Sequence, residues 1–117
     1  MVMDRFDSAR KLGMAGVLLQ VPGPGGERSR ELLRHGSLQV KVYSPVGSDL
    51  QSPHSRDEGY VVMRGTGTFV SDAGRNSVQP GDFLFAPAGV AHRFEDFSED
   101  FAVWVFFYGP EGGERTA

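Results

Sequence analysis

From residue 38 onward the chain is dominated by apolar and polar positions alternating with a period of two, the signature of strands that bury one face. Leu38, Val40 and Val42 alternate with Gln39, Lys41 and Tyr43 until Pro45 and Gly47 end the run. The next predicted strand covers 60–63 and is closed by Gly65, another begins at 68–70, and 72–76 reads as a hairpin turn. A tight turn at Pro80, Gly81 and Asp82 leads into a strand over 83–86 that Pro87 and Gly89 stop. A short strand follows at 92–95, then the longest apolar run, 101–108. In that last strand either Val103, Val105 and Phe107 or Trp104, Phe106 and Tyr108 can face the interior, because both sets are apolar.

The pattern before residue 38 is weaker. Residues 1–14 predict a short helix with Asp4 as N-cap, and 17–21 a first strand, halted by the Pro and Gly run at 22–26. The segment 27–34 suits a helix or a strand. Many short strands with turns every eight to twelve residues predict an all-β sandwich or barrel. Seven of the nine phenylalanines follow residue 80, so the second half supplies most of the aromatic core.

At 117 residues the chain is one domain by size. Its 39% hydrophobic and 23% charged residues fit an ordinary globular protein, and sixteen glycines and seven prolines favour strands and turns over a helical bundle. The absence of cysteine excludes disulfides and thiolate metal sites. A net charge of -3 with scattered arginines argues against nucleic acid as partner. The apolar stretch 12–21 is too short to span a bilayer. Asp4 and Asp7 precede it and no small-x-small cleavage site follows, so a cytoplasmic protein without a membrane partner is expected.

Chemistry concentrates in two glycine-punctuated segments, 47–65 and 81–92, which hold two of the three histidines, His54 and His92. Each runs as a turn, one or two ligand-type side chains, and a strand. Two imidazoles and the Glu58 carboxylate on neighbouring strands form a donor set for one divalent transition metal, Fe, Mn, Ni, Zn or Cu. A competing reading makes 53–58 one helical turn with His54 and Glu58 at i and i+4, but the strand at 60 leaves it little room. His35, flanked by Arg34 and Gly36, reads as a solvated turn residue. If Glu58 and His92 point inward, strand parity turns Tyr60, Val62 and Phe94 inward too, and Arg64 and Arg93 outward. The resulting pocket is largely apolar and aromatic, with no cationic anchor inside the two segments, and suits a small, partly apolar ligand.

The two segments resemble the paired motifs of the cupin family. The first family motif, G-x5-H-x-H-x3/4-E-x6-G, is matched by His54, Glu58 and Gly65. Ser52 stands where the family's first histidine belongs, and Gly47 lies one residue closer than the pattern. The second motif, G-x5-P-x-G-x2-H-x3-N, is matched by Gly81, Pro87, Gly89 and His92, with Asp96 for the final Asn. Fifteen residues separate Gly65 from Gly81. The resemblance implies a cupin-type antiparallel jelly-roll β-barrel, placed over 29–109, and the local pattern adds an N-terminal extension over 1–28 with a short helix and an edge strand and a flexible tail over 110–117.

It also implies a metal in the barrel mouth, held by His54, Glu58 and His92, with Gln51, Ser52, Tyr60 and Phe94 as auxiliary or pocket residues. The family's usual site has three histidines and a glutamate, so this chain is one nitrogen short. The Ser52 hydroxyl is a poor ligand, and Gln51 is the alternative oxygen donor if the strand bulges. Three functions are compatible: a metal-dependent oxygenase, isomerase or lyase acting on a small molecule; a non-catalytic ligand-binding or sensing protein; and a barrel whose metal site has decayed. Exposed sheet edges predict a homodimer, with 17–21 as the docked or exchanged strand.

Overall fold

A computed structural model describes residues 9–115. Among the described residues eight strands follow one short helix: α1 Met14–Leu18, β1 Ser29–His35, β2 Leu38–Tyr43, β3 Asp57–Arg64, β4 Gly67–Ser71, β5 Gly74–Val78, β6 Phe83–Ala86, β7 His92–Glu95 and β8 Ala102–Tyr108. They form a five-stranded sheet in the order β1-β2-β8-β3-β6 and a three-stranded sheet in the order β5-β4-β7, with every pairing antiparallel. This is the antiparallel jelly roll that the family resemblance implies, within the all-β sandwich or barrel class expected from the strand pattern.

The main core lies between the sheets. Tyr60, Val62, Val103 and Val105 of the large sheet pack against Phe69, Val78 and Phe94 of the small one, with Phe101 closing one end. β8 therefore turns Val103, Val105 and Phe107 inward. Trp104 packs instead into a second cluster with Val17, Val21, Val42, Met63 and Ala102, on the outer face of the large sheet.

That second cluster explains two departures from the sequence pattern. No strand forms at 17–21, because Val17 and Val21, four residues apart around α1 and the turn after it, are both buried against the outer face of their own chain. The segment expected as an edge strand is thus a docked helical turn. The helix expected over 1–14 falls mostly on residues outside the described ones; 9–13 carry no helix, and Asp4 lies outside. The ambiguous segment 27–34 is resolved as strand, since β1 pairs along β2. A one-residue irregularity in β1 leaves Leu32 as the extra residue between Glu31 and Leu33, and one in β3 leaves Met63 between Val62 and Arg64. Both extra side chains pack into the outer cluster.

β2 is covered on both faces. Its apolar residue Val42 packs on the outer cluster, while Lys41 and Tyr43 face the barrel mouth. Gly65, after β3, has φ +78°, and a Cβ there would come within 2.7 Å of the Phe101 backbone, so both conformation and space require glycine. Residues after β8 fold back: the Gly112 N–H donates to the Ser55 carbonyl at 2.6 Å, and the Glu114 N–H to Asp57 Oδ2 at 2.8 Å. Among the described residues no helix is long and apolar enough to cross a membrane.

Candidate metal centre

Glu58 sits on β3, paired with Phe107 of β8 on one side and Ala86 of β6 on the other, so its carboxylate projects from the middle of the large sheet into the barrel. His92 opens β7 in the small sheet, paired with Ser71. His54 lies in the irregular segment just before β3, whose backbone is fixed by the Gly89 N–H donating to the His54 carbonyl at 2.7 Å. One atom from each of His54, Glu58 and His92 can be chosen so that all lie within 4.8 Å of one another. Both sheets and one loop therefore meet at the cluster expected from the motifs. The helical-turn reading of 53–58 is not realised, since Glu58 is in the ladder of β3.

The donor atoms are orientated individually. His92 Nδ1 lies 2.8 Å from the Val90 carbonyl, which accepts its proton, so Nε2 faces inward, 2.8 Å from Glu58 Oε1 and 3.0 Å from the Tyr60 hydroxyl. A histidine ligand normally has this arrangement, with one ring nitrogen anchored on a carbonyl and the other presented to the metal. Burial pulls the proton affinity of His92 down, but hydrogen bonds to Glu58 and to the Val90 carbonyl outweigh it, and the imidazole is shifted upward. The same negative environment attracts a cation. His54 Nε2 lies 3.8 Å from Glu58 Oε1, and its ring stands edge-on to Phe107 at 5.0 Å.

A fourth donor joins them. Gln51 Oε1 lies 3.2 Å from His54 Nε2 and accepts the Tyr60 hydroxyl at 3.1 Å. The other end of the amide, Nε2, donates to Asp49 Oδ2 at 2.7 Å, and since a carboxylate only accepts, the oxygen must be the end that faces the site. Asp49 is itself buried. Its remaining bonds come from the Tyr43 hydroxyl at 2.5 Å and the Phe94 N–H at 2.8 Å. Burial, then Asp49, raises the Tyr43 hydroxyl well above the ordinary phenol range; burial, then Glu58, does the same for Tyr60. Both phenols are therefore neutral donors at physiological pH.

Ser52 is a correction. It is exposed and is not among the residues lining the cavity, whereas Gln51 lines it. The placement of Ser52 beside His54 assumed an extended strand, but residues 48–54 belong to no ladder, so strand parity does not apply there. Tyr60 and Phe94 do point inward, Phe94 lying beneath Tyr60 with ring centroids 5.1 Å apart. His35 ends β1, exposed and outside the cluster.

The centre opens into a cavity of about 400 Å³ whose walls include Lys41, Tyr43, Leu50, Val105 and Phe107. Lys41, Tyr43 and Asp49 escaped the sequence reading. The first two lie on what looks like the solvent face of β2, and Asp49 in an irregular segment that carries no strand signal. The donor set of two imidazoles, a carboxylate and an amide oxygen suits a divalent first-row metal. Among the described residues no buried side-chain N or O atom lacks a hydrogen-bond partner, so the donors are held by their surroundings.

Comparison with known proteins agrees with this geometry. The Cupin domain family model matches residues 40–108. An uncharacterized protein of Streptomyces coelicolor is 37% identical over 83 residues, 69% of this chain and 79% of that protein. Among solved structures, KdgF from Halomonas sp. superposes with a TM-score of 0.60 at 17% identity, over 70% of this chain and 78% of its own. A cupin-2 domain protein from Shewanella frigidimarina gives 0.56 at 20% identity, over 69% and 79%. Those identities establish a shared fold and nothing about substrate. With its family match, its jelly roll and a His-His-Glu cluster in the mouth, the chain belongs to the cupin family.

Proposed function

We propose that the protein binds one divalent transition metal through His54, Glu58 and His92, with Gln51 Oε1 as fourth donor, and holds a small, partly apolar molecule in the adjoining cavity. The observation that carries this is the convergence of those donors beside a cavity of about 400 Å³ that His54, Glu58 and Gln51 line, with His92 buried behind them. A metal bound there supplies Lewis-acid polarisation or oxygen activation, the chemistry of a metal-dependent oxygenase, isomerase or lyase. The chain's own residues orient and exclude: Asp49 holds the Gln51 amide, the Val90 carbonyl holds His92, and Phe107 and Val105 keep one wall apolar.

One observation favours a second reading, a ligand-binding or sensing protein without catalysis. Asp49, the other buried carboxylate beside the cavity, has its oxygens engaged by three donors, which leaves it poorly placed as a general base. The decayed-site reading is disfavoured by Gln51, which stands in for the missing histidine. Elemental analysis of protein purified without chelator tests the proposal: up to one first-row divalent metal per chain is expected. A chain that stays metal-free after reloading with Fe, Mn, Ni, Zn and Cu would sink it.

A further inference from the structure

The inner face of the large sheet is laid out in rows. Glu58 pairs with Phe107, and Phe107 with Gln39; one row on, Tyr60 pairs with Val105, and Val105 with Lys41. Lys41 thus stands two strands from Tyr60, about 10 Å between backbones. The apolar side chains Val105 and Phe107 lie between it and the metal donors. Lys41 is the cation among the described residues that line this cavity.

Among the described residues no carboxylate forms an ion pair with it. Its cross-strand neighbour is Glu31, but Glu31 Oε1 accepts from Arg34 at 2.6 Å and from Gln39 at 2.8 Å, and forms no ion pair with Lys41. Asp49 is saturated by three donors, and Glu58 faces the histidines. With a divalent metal balanced by one carboxylate, both ends of the cavity are positive. Between them lies an apolar floor, and at the rim Leu50 is 88% exposed, an apolar surface that a bound ligand would cover.

We propose that Lys41 anchors an anionic group of the ligand, so that the cavity takes a small monocarboxylate whose apolar or aromatic body lies over Val105 and Phe107 and whose reacting end meets the metal. This rests on the metal-centre reading above. A carboxylate is favoured over a phosphate because one ammonium matches one negative charge, and among the described residues no second lysine or arginine lines the wall.

The test uses benzoate and its neutral counterpart benzamide, titrated calorimetrically into wild type, Lys41→Met and Lys41→Arg, each reloaded with Mn(II) and each also metal-free. Wild type should prefer benzoate by about tenfold or more, the size expected of a charge-assisted contact. Lys41→Met should lose that preference and Lys41→Arg keep it, while Mn(II) affinity stays the same in all three. A preference retained in Lys41→Met overturns the proposal, since the metal would then be holding the carboxylate. Absence of any preference in wild type, or failure to bind benzoate, also overturns it and leaves the metal reading standing. Failure of wild type to bind Mn(II) or the other metals strikes the metal reading, and the metal-free titrations still decide Lys41.

Discussion

Asp49 accepts the side-chain N–H of Gln51 at 2.7 Å and so determines which end of that amide faces His54. Asp49→Asn would let the amide turn over and present a donor to the metal instead of an oxygen. Metal affinity is expected to fall on the order of tenfold, as for other residues that orient a ligand. Calorimetric titration with Mn(II) or Zn(II) reads it directly, and equal affinities would show that the orientation of Gln51 is irrelevant.

Gln51 and Ser52 separate in a histidine scan. Gln51→His places a third imidazole where the amide oxygen now points, and affinity for Zn(II) or Ni(II) should rise about tenfold. Ser52→His adds its ring on an exposed position off the cavity and should change nothing. The reverse ranking would mean that the loop carries Ser52 inward in solution.

His92 and His54 should be alike in metal binding and unlike in stability. Either alanine variant removes one of two nitrogens, lowering affinity at least about tenfold, whereas His35→Ala should leave it unchanged. The His92 side chain is 1% exposed and partners the buried Glu58, so His92→Ala should also cost about 1–3 kcal/mol of stability. His54, 36% exposed, should be nearly neutral by thermal melting. Equal melting losses would place both rings in one environment, against the geometry described.

Asp57 ties the C-terminal segment to the barrel. The Glu114 N–H and then the Ala88 N–H hold its carboxyl below the usual range, with burial working weakly against them. A carboxyl lowered in the folded state stabilises at pH above its unfolded value, about 3.9, and loses that contribution as pH falls through the folded value. Protection of the Glu114 and Ala88 amides from hydrogen exchange should therefore hold from about pH 8 to 5 and decline only below about pH 4. Asp57→Asn replaces one acceptor oxygen by a donor, so one of the two amides should be unprotected at every pH. Protection unchanged down to pH 3 would refute the role.

The protein is expected to be a homodimer. Beyond the region covered by α1, the outer face of the large sheet presents Phe83 and Phe85, 64% and 50% exposed, beside Phe106, and Gly59 between them adds no side chain. The strand carrying both phenylalanines, β6, is also an open edge. Light scattering should give twice the 12.8 kDa chain mass, and Phe83→Asp with Phe85→Asp should halve it. A wild-type mass of 12.8 kDa at micromolar concentration would reject the dimer.

The sequence by itself determined the strands from residue 38 onward except β5, because each of the others is a short alternating or apolar run bracketed by turn residues, and those signals are local. β5, Gly74–Val78, overlaps the segment read as a hairpin turn over 72–76, since its residues are polar and mostly exposed and only pairing with β4 makes them a strand. It also marked His54, Glu58 and His92 as candidate ligands, because the spacing of the two glycine-punctuated segments that hold them resembles the paired cupin motifs. The tertiary structure alone decided the rest. Val17 and Val21 read as strand because they are apolar and neighbouring, yet they close as a helical turn since the outer face of the large sheet offers a surface to bury them. On β2 the alternation was visible, but with both faces covered the apolar set went outward and Lys41 and Tyr43 inward. Gln51 displaced Ser52 because the loop before β3 is held by long-range bonds, from Phe94 to Asp49 and from Gly89 to His54, and not by a ladder that would impose parity. Local patterns encode which face a regular strand shows, whereas the conformation of an irregular segment depends on partners far along the chain, and only folding brings those partners together.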